Sequence, residues 1–268
     1  MYKSLFTIGF GMLNFRNTNI FFSVGLIALI GCNFFYKIPF YIYPVLLFVY
    51  SLVLFYGCYF VFSNFFLPVI CSATTAKKEI ALSFDDGPAA SYTPEILGIL
   101  REEKVNAAFF CIGSRIAGNE KIFRQIHEEG HLIGNHSYSH HFWFDLFSSR
   151  KMLADLRMMD SAMERVTGLL PRLFRPPYGV TNPNLKKAII TGGYTPVGWS
   201  IRSLDTVIDD DRKLLKKIND ALKPGAVVLF HDTSRTTLAI LPLFLRQVKE
   251  SGYEIVRLDK MLNLQAYA

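Results

Sequence analysis

At residues 80–88 the chain reads Ile80-Ala81-Leu82-Ser83-Phe84-Asp85-Asp86-Gly87-Pro88, an apolar run that ends on two adjacent carboxylates. A short apolar run bounded by Gly and Pro is typical of a buried strand. Similar runs follow it in alternation with amphipathic helical patterns, which predicts an α/β domain with a parallel sheet. Seven strands are predicted, a barrel-like number, at residues 80–84, 107–112, 131–134, 173–175, 195–199, 226–230 and 254–257.

Helix signals lie between the predicted strands. Thr93-Pro94-Glu95 predicts an N-cap followed by a proline at the first helical position. Residues 149–166 carry apolar side chains at helical spacing, and Gly168 predicts the end of that helix. The acids at 209–211 predict the start of a helix that runs to Leu222, because carboxylates are favourable at the positive end of a helix dipole.

The N-terminal segment has the composition of a membrane anchor. Residues 1–70 contain no Asp or Glu, and their only charged side chains are Lys3, Arg16 and Lys37. A cleavable signal peptide fits poorly, since its apolar core is ~7–15 residues long, whereas a helix that crosses ~30 Å of hydrocarbon needs ~20. We predict an anchor at 1–72 with transmembrane helices at about 20–36 and 42–67, a linker at 73–78 and the α/β domain at 79–268. A buried helical hairpin of a soluble protein is the alternative.

Charge and cysteine content exclude some functions. The chain beyond residue 70 holds 26 of the 29 basic and all 22 acidic residues, without a Lys/Arg run interleaved with aromatics, so no nucleic-acid surface is predicted. The cysteines are Cys32, Cys58, Cys71 and Cys111, and no CxxC spacing occurs among them. Neither a disulfide framework nor a cysteine metal site is predicted. Cys111 lies in a strand-like run, where it is interpreted as a small buried apolar residue.

Polar residues follow several predicted strands, and in parallel α/β barrels the carboxyl ends of strands meet at one rim. Asp85 and Asp86 come directly after the first strand, although Asp-Asp-Gly-Pro is also typical of a simple turn. His136-Ser137-Tyr138-Ser139-His140 follows the third strand. Two histidines at i and i+4 share one face if the segment is helical, and with a carboxylate they would form a two-His, one-Asp metal site with a position open for water.

Two further segments bear on this rim. Arg175-Pro176-Pro177-Tyr178-Gly179 places a rigid loop between an arginine and an aromatic side chain, although a structural turn explains it equally well. The strand at 226–230 delivers His231 at its carboxyl end, where a structural histidine is the alternative interpretation.

The four segments in this order resemble carbohydrate esterase family 4, the NodB-homology polysaccharide deacetylases, over residues 79–264. The resemblance implies a distorted (β/α)7 barrel, here preceded by the transmembrane hairpin. It also implies a hydrolase of non-peptide C–N amide bonds. Such enzymes remove N-acetyl, sometimes O-acetyl, groups from amino sugars in chitin, peptidoglycan or related glycans.

The resemblance also implies roles for individual residues. Asp86, His136 and His140 correspond to metal ligands, with Zn²⁺ as the default ion and nickel, cobalt or iron as alternatives. Asp85 corresponds to the general base and His231 to the general acid, while Arg175 is expected to pair with Asp85. The Tyr178 backbone N–H would serve the developing oxyanion. The side chains expected to line the pocket for the acetyl group and the sugar are those of Pro176, Trp199 and Leu229.

One segment departs from the family pattern. The fourth motif usually carries two aspartates after a tryptophan, but here it reads Trp199-Ser200-Ile201-Arg202-Ser203-Leu204-Asp205-Thr206, with Arg202 where the first acid is expected. Asp205 is the remaining candidate to orient His231. A non-sugar amidohydrolase and an inactive, membrane-tethered glycan-binding protein are the alternative functions.

The anchor predicts where the substrate lies. As a hairpin, two spans return the α/β domain to the side of the N-terminus, and the connection from residue 70 to 80 covers at most ~35 Å. We therefore expect an acetylated amino-sugar glycan or a lipid-linked sugar as substrate, close to the bilayer. Basic residues outside the hairpin turn (Lys3, Arg16, Lys77 and Lys78, against Lys37 within it) favour the cytoplasmic face.

Overall fold

The computed structural model describes residues 13–268, in which two long helices precede the α/β domain. Helix α1 covers Phe15–Asn33 and helix α2 covers Ile42–Tyr59. The Asn14 side chain caps α1 by accepting a hydrogen bond from the backbone of Asn17, so α1 begins five residues before the predicted span. The first twelve residues of the predicted anchor, with Lys3, lie outside the described residues.

Both helices are long and apolar enough to cross a bilayer, and they are candidate membrane spans on length and composition. Only 6% of each apolar window is buried against the rest of the protein. Phe21 on α1 and Phe48 on α2, for example, are 72% and 62% exposed. A hairpin in the core of a soluble protein would bury such side chains, so this alternative disagrees with the packing.

The described α/β domain contains eight strands: β1 Glu79–Asp85, β2 Ala108–Cys111, β3 Leu132–Asn135, β4 Leu173–Phe174, β5 Thr195–Pro196, β6 Ile201–Arg202, β7 Ala226–His231 and β8 Glu254–Ile255. Seven of them form one parallel sheet in the order β5-β4-β3-β2-β1-β7-β6, and β8 pairs with the start of β1. The curled sheet is an incomplete barrel, which confirms the predicted fold class.

Strand β6 was not predicted. A strand of two residues is too short for an alternating pattern, and β6 exists because Ile201 and Arg202 pair with Val228 and Leu229 of β7. The strand predicted at 254–257 is the two-residue β8, which lies off the main sheet. The count of seven in the sheet therefore comes from a different set of strands than the prediction used.

Seven helices surround the sheet: α3 Thr93–Glu102, α4 Glu120–Glu128, α5 Ser149–Thr167, α6 Pro183–Gly192, α7 Asp211–Asp220, α8 Arg235–Glu250 and α9 Leu258–Leu262. The end of α5 at Gly168, with φ +73°, is confirmed. Asp210 caps α7, which ends two residues before the predicted Leu222. Thr93 was predicted to cap α3, and that was wrong: Thr93 is the first helical residue, and its hydroxyl bonds to Asp232 instead.

The core lies between the sheet and these helices. Phe84 of β1 stacks on Phe109 of β2 and Phe230 of β7 at ring distances of 5.0 and 5.8 Å, and all three are fully buried. Cys111 is fully buried in the same core, as predicted. Because side chains alternate along a strand, a neighbour of Phe84 such as Asp85 faces the barrel interior.

A connecting segment, residues 60–73, joins the helices to the α/β domain and packs against that domain. Helix α2 ends at Tyr59 rather than at 67, because the residues after it fold back and bury Phe65, Phe66 and Val69 against the domain. Ile70 and Ser72 then form bridges with Val197 and Ala226. The predicted connection from residue 70 to residue 80 therefore lies along the sheet. Ser72 and Ile80 both pair with Ala226, so this connection spans much less than the ~35 Å of an extended chain.

Candidate functional site

The two carboxylates at the end of β1 point in different directions. Asp85 ends the strand, is 3% exposed and faces the barrel interior. Asp86 has φ +77°, a left-handed conformation that Asp tolerates better than most residues. The change in backbone direction turns the Asp86 side chain toward the rim, so the two neighbouring acids can contact different partners.

The segment His136–His140 is a loop, so the condition of a shared helical face is not met. Ser137 and His140 have φ +66° and +42°. The Asn135 side chain accepts from the Ser137 backbone at 2.8 Å, and the Ser137 hydroxyl accepts from the His140 backbone at 3.0 Å. Asn and Ser stabilise such turns through these local bonds. The two imidazole rings consequently lie 4.9 Å apart.

The ligand atoms of Asp86, His136 and His140 converge. Asp86 Oδ1 lies 3.6 Å from His136 Nε2 and 3.5 Å from His140 Nε2, and all three atoms are within 4.8 Å of one another. Among the described residues, buried Asp86 Oδ1 has no hydrogen-bond partner. One carboxylate, with this unpaired oxygen, and two imidazoles fit the ligand set of a divalent cation and leave a further coordination position open.

The protonation of the histidines suits a metal. His136 Nδ1 is 2.9 Å from the carbonyl oxygen of Arg175, to which it donates its proton, so Nε2 keeps its lone pair toward Asp86. Burial, and then the neighbouring His136, lower the pKa of His140 to about 4. The lowered pKa keeps the His140 imidazole neutral near pH 7, the form that binds metal ions.

Arg175 holds Asp85 in place. It is fully buried, and its Nη1 donates to Asp85 Oδ1 at 2.7 Å and to the Ser83 hydroxyl at 2.8 Å. Its Nη2 donates to the carbonyl of Gly198 at 2.8 Å, and its guanidinium stacks 4.0 Å above the Phe110 ring. Burial lowers the pKa of Arg175, and the charge of Asp85 opposes that effect. The carboxylate is thus fixed on one side of the ligand cluster.

His231 and Asp205 form a second pair, beside the strand that ends at Asp85. His231 ends β7 and is in register with Asp85 on the adjacent β1. Asp205 Oδ1 is 2.7 Å from His231 Nδ1, and Oδ2 accepts from the His231 backbone at 2.7 Å. Burial disfavours the charged imidazole, but the hydrogen bond and charge of Asp205 outweigh it and raise the pKa of His231 to about 9.

Arg202 takes no part in that pair. Its side chain is exposed, and its guanidinium lies 5.8 Å from the Trp199 ring. Asp205, which is 2% exposed, accepts further hydrogen bonds from the hydroxyls of Ser203 and Thr237. The acid that meets His231 therefore comes from position 205, despite the arginine at 202.

The loop with Tyr178 and the Trp199 side chain form the wall beside the histidines. Tyr178 has φ +59°, and its ring contacts the His140 ring edge-on at 4.7 Å. Pro176 is buried at the start of the turn Pro177–Gly179. Leu229 is 2% exposed and sits level with Ser83 on the neighbouring strand. The predicted pocket residues thus flank the site from three separate segments.

Two buried acids that the sequence patterns did not indicate, Asp155 and Asp232, support the site. Fully buried Asp232 accepts from the Thr93 hydroxyl at 2.6 Å, and burial raises its pKa to about 7. A Cβ on Gly87, directly after Asp86, would collide with the Asp232 carboxylate. Asp155 accepts from the Tyr138 backbone at 2.8 Å and steadies the histidine loop, but the apolar pattern of α5 hid it. An acid directly after His231 was the available signal for Asp232.

Gly179 and Gly168 provide a matched test of the wall. Both have φ near +70°, so alanine strains either backbone by roughly 1–2 kcal/mol. A Cβ at Gly168 meets open space, whereas a Cβ at Gly179 lies 2.6 Å from the Trp199 ring. We expect Gly168→Ala to lower the unfolding free energy alone and Gly179→Ala to lower kcat/KM as well, measured by denaturant unfolding and by acetate release. Equal kcat/KM in the two variants would contradict the assigned contact.

Residues 72–197 match the family model for polysaccharide deacetylase. The peptidoglycan-N-acetylglucosamine deacetylase PgdA of Listeria monocytogenes is 34% identical over 195 residues, 73% of this chain. The chain spans only 41% of that relative's length. A peptidoglycan-N-acetylglucosamine deacetylase of Bacillus cereus is 34% identical over 191 residues, which cover 69% of this chain and 89% of the relative.

Solved structures show the same fold. A peptidoglycan N-acetylglucosamine deacetylase in complex with a naphthyl-substituted N-hydroxybenzamide superposes with a TM-score of 0.71 at 28% identity, over 75% of this chain and 95% of that one. A pseudoenzyme of carbohydrate esterase family 4 from Bacillus anthracis superposes with a TM-score of 0.67 at 26% identity, over 72% of this chain and 68% of that one. The sequence matches and the shared fold together show that this chain belongs to the polysaccharide deacetylase family.

Proposed function

We propose that this protein is a membrane-anchored, metal-dependent hydrolase that removes N-acetyl groups from amino sugars. One observation carries the proposal: the Asp86–His136–His140 cluster shares one rim of the barrel with two oriented proton-transfer groups, Asp85 with Arg175 and His231 with Asp205. Amide hydrolysis needs a base for the attacking water and an acid for the leaving amine. This rim offers both beside a cluster of metal-ligand type.

Asp86, His136 and His140 would hold the cation. The carboxylate and the two imidazoles suit Zn²⁺, and nickel, cobalt or iron would fit the same ligand set. When bound, the ion supplies Lewis acidity, which polarises the acetyl carbonyl and makes water a stronger acid.

Asp85 is the proposed base. Its Oδ1 is occupied by Arg175 at 2.7 Å, while its Oδ2 lies 3.9 Å from His136 Nε2, on the side of the ligand cluster. Oδ2 is therefore the oxygen that takes the proton from the water attacking the acetyl carbon. Arg175 keeps the carboxylate from rotating away, which makes it a positioning residue.

His231 is the proposed acid. Its Nδ1 is bound to Asp205, so Nε2 is the nitrogen that gives its proton to the sugar nitrogen as the C–N bond breaks. The products are acetate and the free amine. The Tyr178 N–H would donate to the carbonyl oxygen as negative charge develops there. Pro176, Trp199 and Leu229 would line the pocket for the acetyl methyl and the sugar ring.

The proposed substrate is an acetylated amino-sugar glycan or a lipid-linked sugar. The Listeria and Bacillus cereus relatives are named for N-acetylglucosamine units of peptidoglycan, which supports a glucosamine-type substrate here. The contact between the connecting segment (residues 60–73) and the sheet supports deacetylation close to the bilayer. No nucleic acid enters the proposal.

An inactive glycan-binding protein is the second candidate, since a pseudoenzyme shares the fold. The presence here of the base, the acid and all three ligand residues favours catalysis over binding alone. A non-sugar amidohydrolase would use the same groups and differ only in the pocket.

Acetate release from a substrate panel tests the proposal. The full chain, purified in detergent with Zn²⁺, would be given N-acetylglucosamine oligomers, peptidoglycan fragments, a polyprenyl-linked N-acetylated sugar and a simple N-acetyl amide. We expect release from at least one sugar substrate and none in Asp85→Asn. Release from the simple amide alone would favour the non-sugar amidohydrolase, and glycan binding without release would favour the inactive protein.

We also propose that α1 and α2 cross the cell membrane as a hairpin. The excess of basic residues outside the hairpin turn favours the cytoplasmic face for the α/β domain, where a lipid-linked precursor would be the substrate. Fusions at Ala268 to a fluorescent protein and to alkaline phosphatase test this orientation. We expect fluorescence without phosphatase activity, and strong phosphatase activity would place the domain outside the cell.

A further inference from the structure

The loop after the proposed metal-binding histidines carries exposed apolar side chains. Phe142, Trp143 and Leu146, here called the aromatic loop, are 67%, 56% and 69% exposed. The Phe142 and Trp143 rings contact each other at 4.6 Å. Three large apolar side chains within five residues form a patch of the kind that marks an interaction surface.

The exposure is built into a folded loop. Phe144, between the exposed residues, is 2% exposed and packs against Phe147 at 5.8 Å. The Phe144 backbone donates to the carbonyl of His141 at 2.8 Å, and Leu146 donates to that of Trp143 at 3.1 Å. Because its neighbour is anchored in the interior, the loop cannot turn its exposed side chains inward without losing that packing.

Hydrogen bonds through two adjacent residues link the aromatic loop to the end of α2. The Asn182 side chain donates to the carbonyl of Asp145 at 2.6 Å. The next residue back, Thr181, bonds to the carbonyls of Gly57 and Cys58 at 3.1 Å each. Where α2 leaves the hydrocarbon, the loop therefore lies beside it.

Basic residues border the aromatic loop. Lys151 at the start of α5 lies 3.6 Å above the Phe147 ring, and Arg150 beside it is exposed. Exposed Lys186 and Lys187 lie on α6, whose Asn184 bonds to the carbonyl of Phe147 at 3.1 Å. Aromatic side chains flanked by Lys and Arg match the headgroup region of a bilayer, where rings sit at the apolar boundary and cations meet phosphates.

We propose that the aromatic loop inserts into the headgroup region of the bilayer that α1 and α2 cross. The inference rests on the proposed membrane insertion. Helix ends that emerge from the hydrocarbon lie in the interface, and so must the elements bonded to them. Tyr178, 6.5 Å from Phe142, then faces the membrane surface, and substrate reaches the site along the plane of the bilayer. The loop thus selects substrates held at the membrane.

Tryptophan fluorescence tests the insertion directly, because the chain contains only two tryptophans. Trp199→Phe leaves Trp143 as the single emitter, and Trp143→Phe leaves Trp199 as the matched control. The full-length variants would be reconstituted in vesicles containing lipids brominated on the upper acyl chain. We expect Trp143 emission to be quenched several-fold more by brominated lipid than Trp199 emission. The difference between wild type and Trp143→Phe gives the same result if Trp199→Phe fails to fold.

Other occupants of the surface give different results. Quenching of Trp143 by iodide but not by brominated lipid overturns the proposal and leaves the loop in water. Protection from iodide only when N-acetylglucosamine oligomers are added would make it a glycan surface instead. Resistance of Trp143 to both iodide and brominated lipid would show that another part of the chain covers it, which also overturns the proposal. Flotation of the same variants with vesicles tests the insertion of α1 and α2 separately. A failure of the hairpin to insert can therefore be distinguished from a failure of the loop to insert.

Activity provides a second readout. Trp143→Ser should lower the rate on a polyprenyl-linked N-acetylated sugar in vesicles and leave the rate on soluble N-acetylglucosamine oligomers unchanged. The control is Leu243→Ser on α8, a position 45% exposed, which should change neither rate. An equal loss on both substrates, or no loss on the vesicle substrate, would contradict insertion of the loop.

Discussion

Asp86→Ala is expected to release the metal, whereas Asp85→Asn should keep it and lose catalysis. Asp86 Oδ1 faces both imidazoles, and Asp85 instead pairs with Arg175. Removal of a general base lowers kcat by ~10²–10⁴-fold. Elemental analysis of the purified variants, beside acetate release, separates the two effects.

Asparagine at 85 is a matched change, because it keeps the side-chain volume and one oxygen for Arg175. Asp86→Asn serves as the corresponding variant at the neighbouring position. Equal metal loss at the two positions would contradict the division of labour between these carboxylates. So would an Asp85→Asn enzyme with wild-type kcat.

Asp205→Asn is expected to shift the basic limb of the pH–rate profile to lower pH. The acid works only while His231 is protonated, so the rate falls as pH rises through the pKa of His231. Asp205 raises that pKa to about 9, and its loss should return it toward the ordinary ~6.5. At pH 8 about 90% of His231 is protonated with a pKa of about 9 but only ~3% with a pKa of ~6.5, so the variant should lose about 30-fold in kcat/KM.

Arg202→Ala is the control for that shift. Arg202 ends strand β6, three residues before Asp205, but it is exposed and directed toward Trp199, so its removal should leave the basic limb in place. A shift in Arg202→Ala equal to that in Asp205→Asn, or an unchanged profile in Asp205→Asn, would exclude Asp205 as the partner of His231.

The sequence predicted the elements whose signals are local. Long apolar or periodic runs such as β1, β7 and α5 carry their own pattern, and Gly168 marks its helix end because its left-handed conformation disfavours other residues. The clustering of acid, base and ligands at one rim followed from a general property of parallel strands, whose carboxyl ends face the same way.

The remainder depends on tertiary contacts. Strand β6 exists only through pairing with β7, and α2 ends at Tyr59 because Phe65 and Phe66 find a place in the domain. The two histidines come together because Ser137 and His140 have left-handed backbone conformations, and their i, i+4 spacing is not that of a helix. Thr93 has the local sequence of an N-cap, but its hydroxyl bonds to Asp232, which lies 139 residues further along the chain and so leaves no local signal.

Zinc titration of the metal-free enzyme tests the central claim most directly. The full chain would be stripped with a chelator, and acetate release from N-acetylglucosamine oligomers would be followed as Zn²⁺ is added. We expect activity to rise from background and to saturate at one ion per chain, with one free amine formed for each acetate. Saturation of the site without acetate, or full activity in the stripped enzyme, would contradict a metal-dependent deacetylase.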